Sequence, residues 1–194
     1  MPSETTSSSR AELSVAEHLA HATQTAGKTY GFDEAHDERK VADWWFQHGN
    51  DGVVLFVVFY TQACRWSLCT GCNLPSICSQ QHVAFEPLIA QIDSLLSQPE
   101  VAARRGEIRQ LIVSNNGSVL DEVTFPTTAL MHLLVQINLQ LPALRVLSLE
   151  TRAEYVDVHE LELLSSVMSE RSEPAVIELA IGFEAFDDHI RNKV

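Results

Sequence analysis

The sequence predicts an α/β domain built on a parallel sheet. Two observations carry this reading: from Val53 onward, β-rich runs alternate with amphipathic helical segments, and a polar loop follows the end of each run. Strand–helix alternation gives parallel strands with helices packed on them, and right-handed crossovers wind such a sheet into a curved wall or barrel. Reactive loops in that architecture gather at the carboxyl ends of the strands.

The elements follow in order. Residues 1–9 are polar and rich in Ser and Thr, a disordered tail. Ala11 to about Thr25 spaces Leu13, Ala16, Leu19 and Ala20 as one face of a helix. Gly27 to Gly52 reads as mostly irregular, with Trp44-Trp45-Phe46 packing onto the main body. Residues 1–52 therefore form an N-terminal tail with a helical or irregular extension, and residues 53–194 form the domain. Strand one is Val53–Tyr60. A helix from about Glu86 to Gln98 puts Leu88, Ile89, Ile92, Leu95 and Leu96 on one face, with Pro87 in the first turn. Strand two covers Ile108–Val113, a helix Pro126–Gln140, and strand three Leu144–Leu149. Asp157 and Glu160 make a capping-box-like pair opening a further helix. Strand four is Val176–Ile181.

A chain of 194 residues fits one domain with room for a real core. No run is long and apolar enough to span a membrane, and the N-terminus lacks the basic start and apolar segment of a secretory signal. The expected location is cytoplasmic, where thiols stay reduced and clustered cysteines mean metal or catalysis more often than disulfides. The net charge of −13 opposes general attraction to a phosphate backbone. Arg39-Lys40 and Arg104-Arg105 read as solvated surface.

All four cysteines, Cys64, Cys69, Cys72 and Cys78, fall in the loop after strand one, spaced Cys-x4-Cys-x2-Cys-x5-Cys. Clustered thiolates hold a soft metal or an iron–sulfur cluster. A four-thiolate zinc site is one reading, although the strong zinc signal pairs two Cys-x2-Cys knuckles and only one is present. Cys78 is either a fourth ligand or a spare thiol. The eight histidines form no convincing site; His18 and His21 read as surface residues of the N-terminal helix. There is no Walker loop, dinucleotide fingerprint or nucleophile elbow.

Several segments together carry a family resemblance. They are Cys64-Arg65-Trp66-Ser67, Cys69-Thr70-Gly71-Cys72-Asn73-Leu74-Pro75, Ser114-Asn115-Asn116-Gly117-Ser118-Val119-Leu120-Asp121-Glu122, Glu150-Thr151-Arg152-Ala153-Glu154-Tyr155 and Gly182-Phe183-Glu184-Ala185-Phe186-Asp187-Asp188. From about residue 53 the chain resembles radical S-adenosylmethionine (SAM) proteins of the elongator-type and archaeosine-synthase-like branch. The cysteine spacing departs by one residue from the Cys-x3-Cys-x2-Cys common in that superfamily, and Ala153 stands where the branch usually has proline.

The resemblance implies a partial (β/α) barrel of radical SAM type, a partial TIM barrel. It implies that Cys64, Cys69 and Cys72 ligate a [4Fe-4S] cluster whose open iron binds S-adenosyl-L-methionine. One electron then cleaves SAM to a 5′-deoxyadenosyl radical, which abstracts hydrogen from the substrate. Gly71 with the small residues Ser67 and Thr70 lets the loop fold around the cluster. Ser114, Asn115 and Asn116 would contact the methionyl part of SAM. Glu150 and Arg152 would supply both charge signs for its zwitterion, although Arg152 also has Glu150 and Glu154 as partners. Glu184 would reach a ribose hydroxyl. Asp121 and Glu122 read as caps of the following helix. The implied partners are an electron donor and a substrate, with RNA suggested by the branch.

The superfamily core normally has six strand–helix units, whereas four strands are legible here, and Ile190 to Val194 reads as a helix start. A truncated chain, or a partner that completes the barrel, is expected. The competing classes are a zinc-stabilised α/β interaction domain using all four cysteines and a cofactor-free domain used for association.

Overall fold

The computed structural model describes residues 31–66, 69, 72–183, 185–187 and 189. The helix expected at residues 11–25, with His18 and His21, lies outside them, as do Ser67, Thr70, Gly71 and Glu184. The described chain is α/β. Its strands are β1 (Asp43–Gly49), β2 (Gly52–Val58), β3 (Ile108–Ser114), β4 (Val146–Thr151) and β5 (Val176–Ile181). Its helices are α1 (Phe85–Leu96), α2 (Pro99–Arg104), α3 (Thr127–Gln140) and α4 (Val158–Ser169), with short 3-10 turns at Leu74–Ile77 and Ala153–Tyr155.

The five strands lie side by side in sequence order. Strands β2 to β5 are parallel, as the alternation predicts, and β1 pairs antiparallel with β2. Residues 31–42 are irregular as expected, whereas β1 corrects the expectation of irregular chain at Asp43–Gly49. Its cause is a tight hairpin through Asn50-Asp51-Gly52. Gly52 has φ +132°, a conformation open to glycine alone, and a Cβ there would come within 2.9 Å of the Arg109 Cγ. Trp44 and Phe46 then point to the core side, while Trp45 points to the other face and stacks on Phe56, ring centroids 4.3 Å apart.

Two element ends also differ from the sequence reading. The first helix stops at Leu96 and the chain restarts as α2. Pro99 has no N–H to continue a helix but suits the first position of a new one. Strand β4 begins at Val146 rather than Leu144, because Leu144 N–H turns back to the Leu141 carbonyl after α3. The Asp157 cap forms as expected, its Oδ1 accepting from the backbone of His159 and Glu160 at 2.9 and 3.0 Å.

Period two decides the faces of the sheet. Leu55, Val57, Leu111, Val113, Leu147 and Leu149 share one buried core with Leu88, Ile92 and Leu95 of α1, Leu130, Leu133, Leu134 and Ile137 of α3, and Leu164 and Met168 of α4. The three long helices therefore lie on the same face. The opposite face carries the row Trp45, Phe56, Ile112, Ser148 and Glu178. Its polar end is hydrogen-bonded in series: Gln110 Nε2 donates to Ser148 Oγ at 2.8 Å, and Ser148 Oγ donates to Glu178 at 3.0 Å. No helix among the described residues is long and apolar enough to cross a membrane.

One buried polar side chain fixes where β2 ends. Gln91 of α1 is fully buried. Its Oε1 accepts from Tyr60 N at 2.9 Å, and its Nε2 donates to the Tyr60 carbonyl at 2.8 Å and the Glu38 carbonyl at 2.7 Å. Gln91→Leu keeps similar volume but leaves these backbone groups without partners. The variant is expected to lose about 1–3 kcal/mol of stability, read as a lower urea midpoint at unchanged slope.

Candidate functional site

The site is built at the carboxyl ends of β2, β3 and β4. After β2 the chain runs through Phe59, whose N–H donates to the Ser114 carbonyl at 2.8 Å, and whose ring meets Phe125 edge-on at 5.1 Å. The cysteine loop is then closed at its neck. Ala63 N–H donates to the Ser79 carbonyl at 2.8 Å, and Ser79 N–H to the Thr61 carbonyl at 3.0 Å. All four cysteines lie inside this neck, and all are thiols rather than disulfides.

The neck separates them into two kinds. Cys64, Cys69 and Cys72 are half-buried. Cys78 sits beside the neck, is 1% exposed and directs its thiol to the Leu74 carbonyl at 3.3 Å. Burial pushes the Cys78 thiol up to about 11, opposed by the Asn116 amide and reinforced by Cys64 and Cys72. Burial also pushes the Cys69 thiol up, and Arg152 beside it pulls it back. Arg152, reaching in just past β4, thus lies within electrostatic reach of Cys64 and Cys69 while its Nε donates to Glu154.

The loop after β3 forms the floor. Ser114 is buried, and its Oγ accepts from Asn116 N at 3.3 Å. Asn115 is buried as well, and its side chain is engaged within its own loop: Oδ1 accepts from Gly117 N at 3.1 Å, and Nδ2 donates to the Ser118 carbonyl at 3.1 Å. Asn116 takes the left-handed conformation, φ 58°, which asparagine tolerates. Its Nδ2 is buried without an acceptor at hydrogen-bond distance. The Asn116 amide lies beside the Cys78 thiol and favours its ionised form as a weak donor, outside the geometry of an ordinary hydrogen bond. Gly117 lies directly behind Cys64, where a Cβ would stand 3.4 Å from both the Cα and the Cβ of that cysteine.

The structure thus brings Cys64, Cys69, Cys72, Asn116 and Arg152 to one place. Glu150 stays on β4, half-buried, with its carbonyl accepting from Val119 N at 2.9 Å. Glu122 caps α3 as expected, accepting from Thr127 N at 2.7 Å. Asp121 does not cap that helix. Its Oδ2 accepts from Arg65 Nε at 2.7 Å, because the turn Ser118–Thr124 aims it at the cysteine loop instead. Sequence reasoning gave no role to Arg65, nor to the Ser118–Thr151 hydroxyl pair at 2.6 Å that joins the β3 and β4 loops. The available signal was an Arg directly after the first cysteine and an Asp in the next loop, of opposite charge.

The fit to a metal group rests on donor chemistry. Among the described residues no three His, Cys, Asp or Glu side chains converge to hold a metal ion. Three half-buried thiols on a short loop, a cation beside two of them and a buried amide lacking an acceptor suit a sulfur-rich anionic group, in which each thiolate takes a separate metal. Cavity shape points elsewhere: a cavity of ≈ 320 Å³ opens at the amino-terminal end of the sheet, lined by Asp51, Arg109, Gln110 and Arg145. The thiols are the better guide, since soft-metal chemistry depends on donors rather than on a preformed hollow.

Comparison with protein-family models, curated proteins and solved structures returned no match. Alkylation of the metal-free chain with iodoacetamide at neutral pH is expected to label Cys64, Cys69 and Cys72 and to spare Cys78. Peptide mass spectrometry checks this, and labelling of Cys78 in step with the others would contradict its burial.

Proposed function

We propose that this chain is a radical SAM enzyme, or the part of one that binds the cluster and SAM, with Cys64, Cys69 and Cys72 as ligands of a [4Fe-4S] cluster. The observation that carries the reading is the position of these three thiols at the carboxyl end of β2, with Arg152 beside Cys64 and Cys69. Four parallel strands, β2 to β5, in sequence order with their long helices on one face also suit the wall of a partial (β/α) barrel.

A [4Fe-4S] cluster so held supplies the electron that cleaves SAM reductively. The chain's own residues do the rest. Arg152 offsets the negative charge of ligating thiolates and offers a guanidinium to a carboxylate. Asn116 offers a buried N–H to a sulfur or carboxylate acceptor. Glu150 would take the ammonium of SAM. Ser114 and Asn115 serve through backbone and loop shape, since Asn115 is engaged internally. Glu184 would act on the ribose. Cys78, enclosed beside the neck with its thiol on the Leu74 carbonyl, stays outside the ligand set. The electron donor is a separate reductant, and an RNA substrate would need a local basic surface, given the net charge of −13.

The second reading, a four-thiolate zinc site, draws on the electrostatic reach between Cys78 and both Cys64 and Cys72. Electron paramagnetic resonance on the anaerobically reconstituted, dithionite-reduced chain separates the two. A reduced-cluster signal that changes on adding SAM, and persists in Cys78→Ala, is the expected result. Stoichiometric zinc that is lost with Cys78, and no iron signal, would replace the radical SAM reading with the zinc one.

A further inference from the structure

We infer that Arg65, Asp121 and Tyr155 form a latch that joins the three loops of the site and holds Cys64 in its ligating position. The inference rests on the proposed cluster site for its consequence, but not for its geometry.

Arg65 directly follows Cys64, so fixing one restricts the other to a single Cα–Cα step. Its Nε is 2.7 Å from Asp121 Oδ2, and its guanidinium carbon lies 5.2 Å from the centre of the Tyr155 ring. Asp121 belongs to the loop after β3, and Tyr155 to the 3-10 turn after β4. One guanidinium therefore ties its own loop to the other two.

The anchor is rigid. The Asp121 side chain is only 3% exposed, and its second oxygen accepts from Val123 N at 3.1 Å. Its carbonyl accepts from Thr124 N and Phe125 N at 2.9 and 2.8 Å. A carboxylate buried this far needs its cation, because removing one partner leaves an uncompensated charge. The ion pair is thus selective for a loop position that delivers Arg65 to Asp121. Gly117 of the same β3 loop also packs against Cys64, where a Cβ would stand 3.4 Å from its Cα and Cβ. Arginine suits both demands: its Nε pairs with the carboxylate while its guanidinium carbon sits over the Tyr155 ring, and a single compact ammonium serves two such partners less well.

Two measurements on the full chain test the latch. In the metal-free protein, Arg65→Gln and Asp121→Asn should make Cys64 react several-fold faster with iodoacetamide, on the order of the loss of a held loop. The rate at buried Cys78 should not change. Reconstituted with iron and sulfide, the same variants should retain the cluster against a chelator about 10- to 100-fold less well than the wild type. Arg65→Lys should recover part of the retention. Arg65 is half-exposed, so its variants probe the latch even where Asp121→Asn fails to fold; far-ultraviolet circular dichroism reports which do. Unchanged Cys64 reactivity in Arg65→Gln would overturn the latch. Faster Cys64 labelling in a chain whose wild type takes up no iron would keep the latch and overturn the cluster reading on which its consequence rests.

Discussion

The side-chain amide of Gln91 stands in for a neighbouring strand at the end of β2, and the rest of the site depends on it. Past Val58 the ladder to β1 stops, yet Tyr60 still carries a backbone donor and acceptor inside the core. Left unpaired there, each would cost about 1–3 kcal/mol. Gln91 meets both from α1 and also binds the Glu38 carbonyl, so helix, strand end and preceding segment meet at one group. This fixes the point from which the cysteine loop departs.

From that point the loop is defined by constraints of different strength. The Thr61–Ser79 and Ala63–Ser79 hydrogen bonds close its neck. Phe59 against Phe125 welds the neck to the β3 loop through an aromatic contact. Cys78 is buried because it adjoins the closed neck, whereas the other three cysteines lie farther round the loop. A four-cysteine count is thereby divided into three accessible donors and one enclosed thiol. The division is a matter of backbone pairing, since nothing in the chemistry of a thiol distinguishes the four.

The sheet places unlike surfaces back to back. Its helix side is aliphatic along the parallel strands β2 to β5, with Trp44 and Phe46 of β1 packed at its edge. Its other side changes along one row from Trp45, Phe56 and Ile112 to Ser148 and Glu178.

The sequence by itself determined the four parallel strands, the three long helices and the Asp157 cap, because period-two and period-3.6 patterns are local and strong there. It also located the cysteines on one loop at a strand end. It under-read β1: the Asn50-Asp51-Gly52 turn signal was present, but only pairing with β2 makes Trp44-Trp45-Phe46 a strand rather than a packed cluster. Tertiary structure alone decided which cysteine is enclosed, that Asn115 faces inward while the Asn116 amide is left without an acceptor, and that Asp121 serves Arg65 rather than a helix end. Apart from the Asn115 contacts, which close within its own loop, the physical reason is shared. These outcomes are set by partners many residues apart in the chain, such as Arg65 and Asp121 or Tyr60 and Gln91, and no local pattern encodes a partner supplied by a different strand end.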